Sequence, residues 1–350
     1  MTVSQGSTFD DPTELMTTTL IDFTNQTTGS SMTSSTSRSA GFYFQCAVVV
    51  IGFVGAALNG LILYALIASK QHRKHVLIFN QNLLDFVSCI FLFTMHTVKL
   101  CNVSLNGGAR GYWLCVIILS EALSLSPLLG SFINLAAITI ERYLRIVHHV
   151  WAKKKLRNWM IYSLIPFTWI GGCAVGWGWT IPTTNVVGGV CYTLMLWKSH
   201  TARLAFAIWY FLTFYVALTL TFIFCYGRIL IVIRRQASVM ASHSGPGEGP
   251  NAAQVQTKKM QIKISKTMIL VSALYIIVWS PGYLHGFLMN VSTAVAVGDA
   301  AFYVIVVVGY LYNWVNPFIY AANFDPVKHV LLRLIPWKRN LQPPASFEMT

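Results

Sequence analysis

Asp85 stands in the middle of a long apolar run, and Asn59, Ser131, Asn313 and Asn316 sit within other such runs. A carboxylate among amide and hydroxyl oxygens is the donor set of a hard cation such as sodium. The same groups can instead form a purely structural hydrogen-bond network or carry a proton through Asp85, and residue type alone leaves these readings open. In the triplet Glu141-Arg142-Tyr143, the carboxylate can hold the guanidinium until a motion frees it to donate to another protein's carbonyls. In Asn316-Pro317-Phe318-Ile319-Tyr320, Pro317 removes a backbone donor and bends a helix, which gives Tyr320 a route toward Arg142. Pro281 acts in the same way beneath Trp279, a bulky lever between an outer cavity and the inner end.

These residues need elements that cross a bilayer. The chain is 55% hydrophobic and only 10% charged, against about a quarter charged in soluble domains. A hydrocarbon core of about 30 Å takes roughly 20 apolar residues as a helix. Runs of that kind lie near 41–69, 76–98, 112–145, 158–181, 204–234, 262–290 and 301–322. Backbone groups in lipid must pair within their own segment, and the short alternating strands of a barrel are absent. The expected fold is an all-α bundle of seven membrane-spanning helices over 41–322. A polar charge at mid-membrane costs about 2.5 to 3.5 kcal/mol, so Asp85 and its like must face inward and be paired.

Of the 25 Lys and Arg, 20 fall on one side of these runs if residues 1–40 lie outside. That bias places the N-terminus outside the plasma membrane and the C-terminus in the cytoplasm. The net charge of +14 therefore sits beside an anionic leaflet and needs no nucleic-acid partner. Residues 1–40 are rich in Ser and Thr and read as a disordered extracellular tail, with a glycosylation sequon at Asn25. No cleavable leader is apparent, so the first span is expected to serve as its own signal.

Cys46, Cys101, Cys115 and Cys191 lie toward the outside, where oxidation is possible. A Cys115–Cys191 bridge would tether the loop after the fourth span over the bundle. Cys101 is the rival partner, which spacing alone does not exclude.

The chain resembles the rhodopsin-like (class A) G-protein-coupled receptors over nearly its whole length after residue 40. Asn59, the stretch Asn80 to Asp85, Cys115, Glu141-Arg142-Tyr143, Trp169, Tyr226, Val278-Trp279-Ser280-Pro281 and Asn316 to Tyr320 match hallmarks of successive helices in order. Within the family the sequence is distantly similar to invertebrate receptors like those for galanin, allatostatin or somatostatin peptides. The resemblance implies an extracellular ligand, outward movement of the sixth helix and nucleotide exchange on a heterotrimeric G protein. It gives Glu141, Arg142, Tyr143, Tyr226, Asn316, Pro317 and Tyr320 to coupling, and Trp279 and Pro281 to activation. It does not imply an enzyme.

Departures from the pattern narrow the ligand. Amine receptors carry an Asp where this chain has Ser124, and opsins hold retinal on a Lys where it has Tyr310. Neither an amine receptor nor a retinal-bound opsin is expected, and no cofactor other than sodium is. Cys115 precedes Arg142 by two residues more than usual, a surplus that a bulge or kink at Pro127 would absorb. Glu121 is then a candidate contact for a cationic ligand group, or else a structural hydrogen-bonding residue. Tyr283, His285 and Tyr310 are further candidates for a peptide or amphipathic small molecule, while Trp177, Trp179 and Trp197 read as an interfacial belt.

The fifth helix has Leu218 where the family usually has Pro, and the sixth has Gln261 where many relatives place an acid that restrains the Arg. Appreciable basal signalling is the expectation. Residues 323–336 carry apolar residues at helical spacing, as in an amphipathic helix on the membrane surface, followed by a short tail over 337–350. An arrestin switch is expected in the third inner loop around Ser238, Ser242 and Ser244. The alternatives are a seven-helix transporter or proton channel using Asp85 and Glu121, which would show repeats that are absent here, and a binding receptor that does not signal.

Overall fold

The computed structural model describes residues 31–101, 108–193, 197, 199–242, 252–291, 300–323 and 325–334. Asn25, Ser244 and the tail 337–350 lie outside them, as do the side chains of Ser238, Ser242 and Gln261. Seven helical spans pass the length and hydropathy requirements: Ser39–Ala68, Val76–Leu100, Ala109–Val147, Asn158–Thr183, His200–Arg235, Ile262–Val291 and Ala301–Ala322. The end carrying Arg142 is termed inner and the end carrying Cys115 outer.

The outer loop after the fourth span folds into a hairpin of β1 (Asn185–Val187) and β2 (Val190–Tyr192), with Val186 opposite Cys191. Gly188 and Gly189 take positive φ values of 59° and 79°, which lets the turn close in two residues. The disulfide joins Cys115 to Cys191 at a Cα separation of 5.5 Å, while Cys101 is free and exposed.

The third span is not one continuous helix. Ala109–Leu114 runs into a π turn over Cys115–Leu119, Ser120 is extended at ψ 163°, and a new helix begins at Ala122. The Ser120 N–H donates to the Cys115 carbonyl at 2.7 Å, the wider spacing of a π turn. The two surplus residues are thus absorbed above Glu121. A bulge in this span lies at Cys115–Leu119, ahead of Pro127, which stands inside the helix Ala122–Val147.

The fifth span carries a similar π segment at Phe211–Ala217, ending just before Leu218. A carbonyl within it, that of Phe214, accepts the Tyr275 hydroxyl of the sixth span at 2.6 Å. Proline is therefore not needed to open this helix.

The third and fourth spans approach closely because Gly172 has no side chain. A Cβ there would stand 2.2 Å from the Ser126 carbonyl oxygen and 2.6 Å from the Gly130 nitrogen. Small residues let helix backbones touch in a setting where lipid supplies no hydrophobic drive between helices. Beyond the seventh span, the amphipathic helix Asp325–Leu334 buries Val327 in the core and exposes Lys328, His329 and Arg333.

Candidate functional site

The mid-membrane polar residues converge on one hub. Both oxygens of Asp85 accept hydrogen bonds, one from the Ser131 hydroxyl and one from the Asn316 amide, each at 2.6 Å. The Gln81 amide donates to Ser131, and Asn134 donates to the Gln81 carbonyl at 2.8 Å. Asn80 donates to Asn134 at 3.0 Å and to Thr168 at 3.1 Å, and accepts from the Trp169 indole at 3.0 Å. The hub thus ties the second, third, fourth and seventh spans together.

Asn59 adds the first span. Pro317 has no N–H for the carbonyl four residues back, that of Asn313. The Asn59 amide donates to that orphaned carbonyl at 3.0 Å. The seventh span accordingly tightens to a 3-10 turn over Tyr312–Trp314 before resuming at Val315. The helix break and its side-chain partner form one device.

The residues expected to ligate a cation are brought together only in part. Asp85, Ser131 and Asn316 are in direct contact, whereas the Asn313 side chain has no hydrogen-bond partner among the described residues. Among the described residues, the side-chain oxygens of Asn59, Asn313 and Asn316 are buried acceptors without a donor. Such oxygens beside a carboxylate suit a hard monovalent ion. Gln81 and Asn134 are members that the sequence reading missed. Their signal was present, since Gln81 precedes Asp85 and Asn134 follows Ser131 by about one helical turn.

At the inner end, Arg142 is 3% exposed. Its guanidinium lies 3.7 Å from Glu141 and 3.5 Å from the His75 ring. The tighter partner of Glu141 is Arg145, at 2.7 Å. The carboxylate expected to hold Arg142 is therefore shared. Burial, and then the charge of Arg142, push His75 down to about 4, so its ring is neutral near pH 7. Tyr226 bonds Thr139 at 2.8 Å and accepts from Ser272 at 3.3 Å, linking the third, fifth and sixth spans. The Tyr320 hydroxyl is buried without a hydrogen-bond partner among the described residues. Tyr143 turns away to His148, at 3.2 Å.

Between the two ends, Trp279 packs edge-on against Phe132, with ring centroids 5.1 Å apart. Gly309 makes room for it, because a Cβ there would lie 3.1 Å from the indole. Pro281 sits two residues on, inside the helix Ala252–Val291.

In the outer half, Glu121 precedes the helix Ala122–Val147 and pairs with Lys99, and its carboxylate lies 3.8 Å from the buried His96. Ser124 donates to the same carboxylate at 3.2 Å, and Tyr310 is buried. Tyr283 is buried and bonds Tyr275 at 3.0 Å. His285 faces Phe302 at a centroid distance of 5.8 Å. Lys99 escaped the sequence reading because it stood as one of the few outer cations.

Two of the tryptophans read as an interfacial belt, Trp179 and Trp197, are half-buried. Both pack on Phe206 of the fifth span, at centroid distances of 5.2 and 5.4 Å.

A family model described as 7 transmembrane receptor (rhodopsin family) matches residues 58–320. The chain is 22% identical to a rhodopsin of Loligo forbesii over 310 residues, covering 83% of this chain and 65% of the relative. It is 23% identical to a melanopsin-B of Gadus morhua, covering 87% of this chain and 49% of the relative. A gonadotropin-releasing hormone II receptor of Clarias gariepinus is 27% identical over 150 residues, 42% of this chain and 40% of that one. The chain thus spans about half to two-thirds of the length of the two opsins. With its seven spans and disulfide among the described residues, it is a multi-pass membrane protein, and it belongs to the rhodopsin family of seven-transmembrane receptors.

Proposed function

We propose that the chain is a G-protein-coupled receptor of the plasma membrane, with its N-terminus outside. It takes an extracellular peptide or small amphipathic ligand in the outer half and activates a heterotrimeric G protein through Arg142. The observation that carries this reading is the inner-end geometry. Arg142 is buried beside Glu141, that carboxylate is shared with Arg145, and the Tyr320 hydroxyl is buried without a hydrogen-bond partner among the described residues.

Ligand chemistry follows from the outer cluster. Glu121 is already satisfied by Lys99, so a cationic ligand group must displace that ammonium to reach it. A ligand of mixed charge meets both partners at lower cost. The opsin relatives raise the case of retinal, which the residues do not fit: the position of the expected Lys is Tyr310, whose phenol forms no imine. Asp85, with Ser131 and the amide oxygens of Asn313 and Asn316, would hold a sodium ion that stabilises the resting arrangement.

The test is ligand-free activation of a panel of G proteins in cells, comparing wild type with Arg142→Ala at matched surface levels. Basal activity lost in the variant supports the receptor reading and names its partner. Activity that is unchanged in the variant refutes the role given to Arg142. Silence in both, persisting through a peptide screen, favours a binding protein that does not signal.

A further inference from the structure

Between the inner ends of the second, third and fourth spans lies a cavity lined by Arg73, Lys74, Arg142 and Arg145, with Glu141 as its one acidic group and Asn158 and Tyr162 at its rim. Four guanidinium or ammonium groups against one carboxylate leave a strong positive excess. Arg73, Lys74 and Arg145 are exposed, so their charges are available at the mouth. Arg145 is also committed to Glu141, at 2.7 Å.

The backbone adds to this field. The second-span helix begins at Val76, inside the cavity wall, and no side chain caps it. The fourth-span helix begins at Asn158, also in the wall and likewise without a side-chain cap. Two helix N-termini converging on a basic cavity present N–H groups and positive dipole ends together. His75, the residue before Val76, is held neutral by burial and by Arg142, so it can donate to or accept from a bound group without adding charge.

We infer that this cavity is a binding site for a phosphate-monoester anion, entered from the inner leaflet as a phosphoinositide headgroup. Guanidinium groups grip phosphate oxygens in paired fashion, and Lys74 adds a point charge. A lipid source is favoured over a free phosphate by the rim. Tyr162, which lines the cavity, is 51% exposed, and Trp159 in the first turn of the fourth span is 64% exposed, as aromatic rings at a headgroup interface are. Lys153, Lys154 and Lys155 lie close in sequence, and they attract the same anionic surface. A phosphate taken by Arg145 would loosen that side chain's hold on Glu141 and return the carboxylate to Arg142.

The inference rests on the proposed placement of this end in the cytoplasm, but its test does not. Full-length receptor in nanodiscs exposes both faces, and binding is read without signalling, so the two readings fail separately. Fluorescent phosphatidylinositol bisphosphate in phosphatidylcholine nanodiscs is the probe. Arg73→Gln with Lys74→Gln should weaken its binding by roughly 30-fold, since each surface cation contributes about a factor of five. Lys153→Gln with Lys154→Gln, which removes as much charge outside the cavity, should weaken it clearly less, because those ammonium groups act on the phosphate only across screening solvent. Equal losses in the two variants would reduce the effect to diffuse attraction and overturn the site, as would no loss in either. Soluble inositol trisphosphate added to lipid lacking the probe separates the sources. Comparable affinity there, with the same dependence on Arg73 and Lys74, assigns the site to a soluble phosphate, and much weaker affinity assigns it to the lipid.

Discussion

The bundle divides into two parts held by different forces. The first four spans and the seventh share the Asp85 hub, in which charged and amide groups bond one another at 2.6 to 3.1 Å. The fifth and sixth spans contribute no side chain to that hub among the described residues. They meet the rest through rings, such as Phe132 with Tyr275 at 4.9 Å and with Trp279 at 5.1 Å, and through a few hydroxyl bonds of Tyr226 and Tyr312. The sixth span also packs sparsely on the third, while the first and second, and the third and fourth, pack densely. Directional bonds to a buried carboxylate fix a register, whereas ring contacts tolerate sliding over a broad range of angles. The seam along Phe132 is where the molecule should part, which makes the fifth and sixth spans the moving half.

The largest effect should come from breaking the fixed half. Asp85→Leu leaves the Ser131 hydroxyl and the Asn316 amide without acceptors, at about 1–3 kcal/mol for each buried group. Thermal unfolding in detergent should fall sharply, with surface expression falling in parallel, and Asp85→Asn should retain part of both. Gly172→Ala comes next. Its Cβ must push the Ser126 carbonyl away from 2.2 Å, an overpacking cost of about 1–3 kcal/mol, again visible as lost thermal stability. If either variant instead raised basal signalling without lowering stability, the hub would not be the fixed half.

How far this division was legible in the sequence depends on the interaction. Hydropathy located all seven spans, since apolar length is a local property. Asp85, Ser131 and Asn316 stood out because a polar group in an apolar run must be paired. Which amide bonds which depends on helix rotation, so Gln81 and Asn134 went unassigned despite giving the same signal. The Glu121–Lys99 pair was harder still, because the π turn at Cys115–Leu119 sets where Glu121 sits. The division of Glu141 between two arginines was readable in principle from the spacing of Glu141 and Arg145, four residues apart on one helix.

A smaller effect is expected at the seam itself. Tyr226→Phe removes a hydroxyl that joins Thr139 to Ser272, worth about 1 kcal/mol. Stability should change little, while the balance between resting and active forms shifts by up to about fivefold. The direction depends on which form keeps the Tyr226 bonds, and they are present in the arrangement described. Basal G-protein activation should therefore rise in Tyr226→Phe. A fall would mean that the same hydroxyl is needed more in the active form.

The least effect should come from Lys263, which pairs with Asp325 at 2.6 Å and so links the sixth span to the surface helix. This contact lies two residues past Gln261, at the inner end of the sixth span. Its weakness follows from exposure, because the two side chains are 44% and 61% accessible to solvent. Exposed pairs contribute about 0 to 1 kcal/mol and are screened by salt. Lys263→Gln should raise basal activity by no more than about threefold, and the exchange of Lys263→Asp with Asp325→Lys should restore it. A rise as large as that of Tyr226→Phe would move the seam's main restraint from buried hydroxyls to this surface link. The sixth span would then be held at its tip, and salt concentration in a reconstituted assay would set basal activity.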